Sequence, residues 1–149
     1  MWRWLRIAFA FVAAVLCAAA LGSVVQTQFN MAALLGMGVT VPATVWLEST
    51  LLDLLGFAPL YAVVVAATFL IAFAVAGLLV RLAGGYARLL FPLAGACGLL
   101  ATILLANSLL PMTPLAVTRH MLGTAALAVA GGIGGLVFAG LLPHRTARL

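Results

Sequence analysis

Charge is nearly missing from this chain. Of 149 residues only 6% are charged, lysine does not occur, and the acidic residues are two, Glu48 and Asp53. Soluble domains carry about 25% charged residues. A water-soluble fold of this composition would have almost no solvated surface, so that class is excluded first. Cysteine is scarce as well: Cys17 and Cys97 each sit inside an apolar run. They lack the clustered ligands of a zinc site and the close spacing of a redox pair. Both are expected to be small buried hydrophobes. The GxSxG, HExxH and CxxC signatures are missing too, and no nucleophile with an adjacent base can be named. No cofactor or metal is implied.

The charge that is present is basic, with a net value of +5 carried by seven arginines. It does not point to nucleic acid. Six of the seven lie near the ends of apolar segments, where bilayer anchoring accounts for them, and no basic stripe with stacking aromatics accompanies them. The arginine-only, alanine-rich composition hints at a bacterial genome rich in G and C.

What the chain has in abundance is apolar length. It is 67% hydrophobic with a mean hydropathy of +1.35. A hydrocarbon core about 30 Å thick needs about 20 apolar residues in a helix. Runs at about 7–25, 60–80, 89–106 and 121–142 meet that need and contain no charge. In lipid the backbone must bond to itself, and these runs do not alternate as barrel strands do. The fold expected is an all-α membrane protein: a single domain, 1–149, forming a four-helix transmembrane bundle. Pro59 is expected to open the second span, and Gly84 and Gly85 to close it. Pro92 falls near the start of the third, Pro111 ends it, and Thr113 with Pro114 caps the fourth.

Arginine placement sets the expected orientation. Arg3, Arg6, Arg81, Arg88, Arg145 and Arg148 share one side if the chain crosses four times. Arg119 and both acids lie on the other. The arginine-rich side is read as cytoplasmic, with both termini there, in the inner (plasma) membrane of a bacterium. Trp2 and Trp4 resemble interfacial anchors. One alternative stays open: Met1 to Ala20 also resembles a cleavable signal peptide, and its removal would leave three spans with the same orientation.

Polar chemistry collects on the extracytoplasmic side. Residues 26–58 are long for a connection without structure of its own. Leu47, Leu51, Leu54 and Leu55 mark one apolar stripe, with Ser49, Thr50 and Asp53 opposite. This spacing predicts a short interfacial helix over about 42–55, capped by Gly56 and lying on the bilayer or across the other helices. Trp46 suits the headgroup level. Glu48 falls in the apolar arc, where a carboxylate needs a partner. Arg119 is the only arginine on that side, so a Glu48–Arg119 pair is expected, with Asp53–Arg119 as its competitor. Gln26, Gln28, Asn30, Glu48, Asn107, Arg119 and His120 form the candidate polar cluster. The simpler alternative for these groups is ordinary helix ends meeting headgroups. A lone His120 gives no metal site.

Helix four is rich in small residues, and Gly123, Gly131 and Gly135 are expected to pack it closely against a neighbour. Gly95, Gly98 and Ala94 give helix three a small face, whereas Phe69, Leu70 and Phe73 suit lipid or a bulky packing layer. Three functions compete. The first is a small accessory or structural subunit acting through helix contacts, with the bilayer, a second copy or a larger complex as partner. The second is a subunit of an oligomeric transporter or channel, disfavoured because no span core holds an ionisable residue. The third is a membrane enzyme, for which only Glu48, Asp53 and His120 could serve.

Overall fold

The computed structural model describes residues 2–82, 86–109, 116–119 and 121–142, with only the backbone of residues 116 and 119. It contains four helices: α1 (Trp2–Gly36), α2 (Ala43–Leu82), α3 (Ala87–Leu109) and α4 (Met121–Leu141). A short 3₁₀ turn, Ala116–Arg119, precedes α4. All four helices are long and apolar enough to cross a membrane. The protein is an all-α four-helix bundle in which α1 packs on α2, α2 on α3, α3 on α4 and α4 back on α1. Successive helices run antiparallel, as short connections require. The expected roles of Gly84, Gly85, Pro111, Thr113 and Pro114 fall outside the described residues.

Helix length divides the bundle into two pairs. α3 and α4 have 23 and 21 residues, about 35 and 32 Å at 1.5 Å per residue, close to the hydrocarbon thickness. α1 and α2 have 35 and 40 residues, about 52 and 60 Å. This longer pair projects past the other at the end opposite the termini, here called the hairpin end. The other end, called the arginine end, carries Trp2, Arg3, Arg6, Arg81 and Arg88, all of them exposed.

The separate interfacial helix expected over 42–55 is helical but not separate. It forms the first part of α2, which runs on through Gly56 and contains Pro59 inside it. Proline removes one backbone donor, yet nothing else near it turns the chain aside. Gly56 does not cap because a glycine ends a helix only where the backbone enters the left-handed region. That happens instead at Gly38, with φ of 80°. There the Gly38 N–H donates to the Leu35 carbonyl at 3.0 Å and the Val39 N–H to the Leu34 carbonyl at 3.2 Å. This pair of bonds is a Schellman motif. It stops α1 at Gly36, eleven residues beyond the end expected for the first span at about residue 25. Pro92 lies inside α3, near its start.

The core begins with two backbones in contact. A methyl group at Gly131 would lie 2.5 Å from the Gly95 carbonyl oxygen, and one at Gly135 would collide with the Phe91 carbonyl. Small residues permit this approach in lipid, where no hydrophobic force draws helices together. Gly134 similarly seats the Phe69 ring and the Ala14 backbone. Beside these contacts every helix contributes a ring to one cluster. Phe73 stacks on Phe69 and Phe138 at centroid distances of 4.5 and 4.6 Å. Phe11 and Phe91 meet it edge-on at 6.4 and 5.6 Å. Phe69 and Phe73 are therefore core and Leu70 faces outward. A second, smaller core lies toward the hairpin end, where Val117 of the 3₁₀ turn packs with Ile103, Leu127, Val25 and Phe29. Gly123 packs against the Val117 carbonyl, so it seats the turn before its own helix. Cys17 is half-buried, but Cys97 is exposed on the outer face of α3, contrary to the expectation that both are buried. Its neighbours on the core side are Gly95 and Leu99, which take the interior positions of that turn.

Gly131→Ala is expected to destabilise the bundle by about 1–3 kcal/mol through overpacking. Gly140→Ala, with open space around it, should gain about 0.5–1 kcal/mol from the lower entropy of the unfolded chain. Thermal unfolding of the two variants in one detergent checks both signs.

Candidate functional site at the α1–α2 hairpin

Among the described residues, polar side chains near the hairpin end meet in two places. The first is the contact between α1 and α2. Asp53, Phe57 and Tyr61 recur every four residues and so share one face of α2, and that face is the one turned toward α1. Ser23 and Thr27 share a face of α1 by the same spacing, and both are fully buried. The Thr27 hydroxyl lies 2.7 Å from Asp53 Oδ2 and 3.1 Å from the Ser23 carbonyl oxygen. It has one proton, and the carboxylate is the stronger acceptor. Nearer the hairpin tip, the Trp46 indole N–H donates to Gln28 Oε1 at 2.9 Å. Thr50 donates back to the Trp46 carbonyl at 2.9 Å.

This arrangement reverses the expected use of the amphipathic segment. Its polar face, Thr50 and Asp53, turns inward to α1. Leu47, Leu51 and Leu55 point out and are 63%, 55% and 78% exposed. The physical reason lies in the surroundings. In lipid the outside is the apolar phase, so polar groups are better satisfied between helices. Glu48 accompanies the outward leucines and is exposed. The Arg119 side chain and His120 lie outside the described residues, and with them both expected pairings of Arg119.

The second place joins α3 to the turn before α4. Thr118 Oγ1 donates to Asn107 Oδ1 at 3.3 Å, and Thr124 Oγ1 approaches the Thr118 carbonyl at 3.5 Å. Asn107 thus ties the turn to the end of α3. Gln26 and Asn30 are half-buried on α1, while Gln28 is exposed. Thr27 stands beside Gln26 and Gln28 in the sequence, whereas nothing local marks Ser23, Tyr61 or Thr118 as site members. The four-residue spacing of Asp53, Phe57 and Tyr61 was available as a signal, once 43–82 is taken as one helix.

Deeper in the α1–α2 contact, the Tyr61 ring lies against Gly22, where a methyl group would collide with it. It also stacks on Phe57 with centroids 5.4 Å apart. Among the described residues, neither its hydroxyl nor that of Ser23, both buried, has a hydrogen-bond partner. A buried hydroxyl left unpaired costs about 1–3 kcal/mol. Chemically the site offers one carboxylate and several hydroxyls. Among the described residues no three His, Cys, Asp or Glu side chains gather as metal ligands. No known protein family, characterised protein or solved structure matches the chain.

A double-mutant cycle of Thr27→Val and Asp53→Leu should give a coupling of about 0.5–2 kcal/mol, the range of interhelical hydrogen bonds in membranes. Tyr61→Phe removes an unpartnered hydroxyl and keeps the ring, so it should raise stability. Unfolding in the same detergent reads both, and a destabilising Tyr61→Phe would mean that the hydroxyl has found a partner.

Proposed function

We propose that this protein is a small multi-pass accessory subunit, acting through helix–helix contacts with a partner membrane protein or with a second copy of itself. The observation that carries the reading is the filled interior. Phe11, Phe73, Phe91 and Phe138 bring one ring from each helix to a single level of the bundle. Such a layer leaves no conduit along the axis of one chain. Among the described residues, the bonds of Thr27 to Asp53 and of Trp46 to Gln28 tie one helix to another. Function then falls to the outer surface. The projecting part of the hairpin supports this, since Leu47, Leu51 and Leu55 form an exposed stripe beyond the reach of α3 and α4. Large exposed apolar patches at a membrane boundary mark interaction surfaces.

The setting that best fits the arginine distribution is a bacterial inner membrane, with both termini cytoplasmic and the hairpin outside. The leucine stripe then meets its partner at the outer leaflet boundary.

A photocrosslinker at Leu51 or Leu55 in the native membrane should trap one defined protein in stoichiometric yield, and one at Leu70 should not. Reconstitution of the purified chain alone should leave liposomes without solute flux. Flux by the lone chain, with no crosslinked product at either leucine, would favour the transporter reading instead.

A further inference from the structure

At the arginine end a surface pocket of about 460 Å³ opens between the start of α1 and the end of α4. Trp2, Leu5, Arg6 and Phe9 line it from α1, and Leu141 lines it from α4. The four α1 residues recur at spacings of three and four, so they form one face of its first turns. All five are exposed. One guanidinium is thereby set among an indole, a phenyl ring and two leucines.

The chain supplies nothing to neutralise Arg6. Among the described residues it makes no hydrogen bond and no ion pair. The whole sequence holds two acidic residues, Glu48 and Asp53, and both sit on the first part of α2, at the opposite end. Arg3 stands three residues before Arg6 and adds a second positive group on the neighbouring turn. Arg6 also lies four residues inside Trp2, about 6 Å deeper along the helix. Helical side chains lean toward the N-terminus of their helix, which at this end is the membrane surface. The stem of Arg6 therefore runs up the apolar wall and carries its charge to the level of the indole, where headgroups lie.

Charge decides between occupants. A second copy inserted in the same orientation brings arginines and no acid to this level, so like charges would meet. A phospholipid brings a phosphate, and its acyl chain continues down the apolar wall. A guanidinium fork matches a phosphate, and basic side chains beside the membrane surface attract anionic lipids. A cationic group such as choline would find no acidic side chain at this end. We propose that the α1–α4 pocket seats one anionic glycerophospholipid of the leaflet at the arginine end. Its phosphate lies on the Arg6 guanidinium, and the upper part of an acyl chain lies over Leu5, Phe9 and Leu141. The site is distinct from the leucine stripe of the hairpin and does not depend on the accessory-subunit reading.

Native mass spectrometry of the full chain in mild detergent tests this. The probes are phosphatidylglycerol and phosphatidylcholine of identical acyl chains, supplied at equal concentration. The wild type should retain one phosphatidylglycerol, favoured about fivefold, the ratio that one arginine near an anionic surface gives. Arg6→Gln should remove that preference. Arg81→Gln, at an exposed position of the same end but outside the pocket, should keep it. Leu141→Trp fills the pocket from α4 and should lower the retention of both lipids. Circular dichroism and gel filtration identify a variant that has not folded; if Arg6→Gln is one, Leu141→Trp decides. Equal retention of the two lipids by the wild type would overturn the proposal, as would retention unchanged by Leu141→Trp. A preference lost equally in Arg6→Gln and Arg81→Gln would also overturn it, since diffuse charge rather than this pocket would then select the lipid. So would a photocrosslinker at Phe9 that traps a protein in the native membrane in place of lipid.

Discussion

The approach of α3 to α4 sets the geometry that the other contacts need. At Gly95, Gly131 and Gly135 backbone meets backbone with no side chain between. In water such closeness would follow from burying apolar surface. In lipid the surroundings are as apolar as the helix, so association rests on dispersion and on the number of atoms brought into range. Glycine removes the one substituent that would hold the axes apart. The rings of Phe91 and Phe138, carried by the same two helices, then come to 4.9 Å between centroids. Phe73 enters the space they leave. A wider separation of α3 and α4 would open that layer and give its rings no common neighbour.

The α1–α2 pair obeys a different rule. Here the close contact is Tyr61 over Gly22, and the specific links are polar: Thr27 to Asp53 and Trp46 to Gln28. These bonds lie near the level at which α4 begins, where hydrocarbon gives way to headgroups and water. A carboxylate is tolerable at such a depth if a donor is supplied. Asp53 fixes the register of the two long helices by its side-chain bond. The Schellman turn at Gly38 fixes it by the backbone. Two constraints at different points along one hairpin determine both offset and facing.

The same physical setting makes the outer surface chemically uneven. Outward leucines at the hairpin, a groove between α2 and α3, and an arginine-rich end offer three different kinds of neighbour. The interior offers none, because its space is taken by glycine contacts and rings. The bundle spends its small residues on itself between α3 and α4, and leaves α2 and α3 less fully closed.

The sequence alone determined the class and the number of crossings. Uncharged runs of about 20 residues admit only one solvent, and the energetic demand on the backbone there admits only helices. It also identified Gly131 and Gly135 as packing residues, because spacing and the lack of a side chain are local properties. Tertiary structure decided where the helices end and which face of 43–55 turns inward. Local signals misled at Gly56 and Pro59, since a glycine or proline ends a helix only if the chain has somewhere else to go. The inward turn of Asp53 depends on Thr27, 26 residues away. A helical wheel shows which residues oppose each other, but not which side will find lipid and which will find another helix.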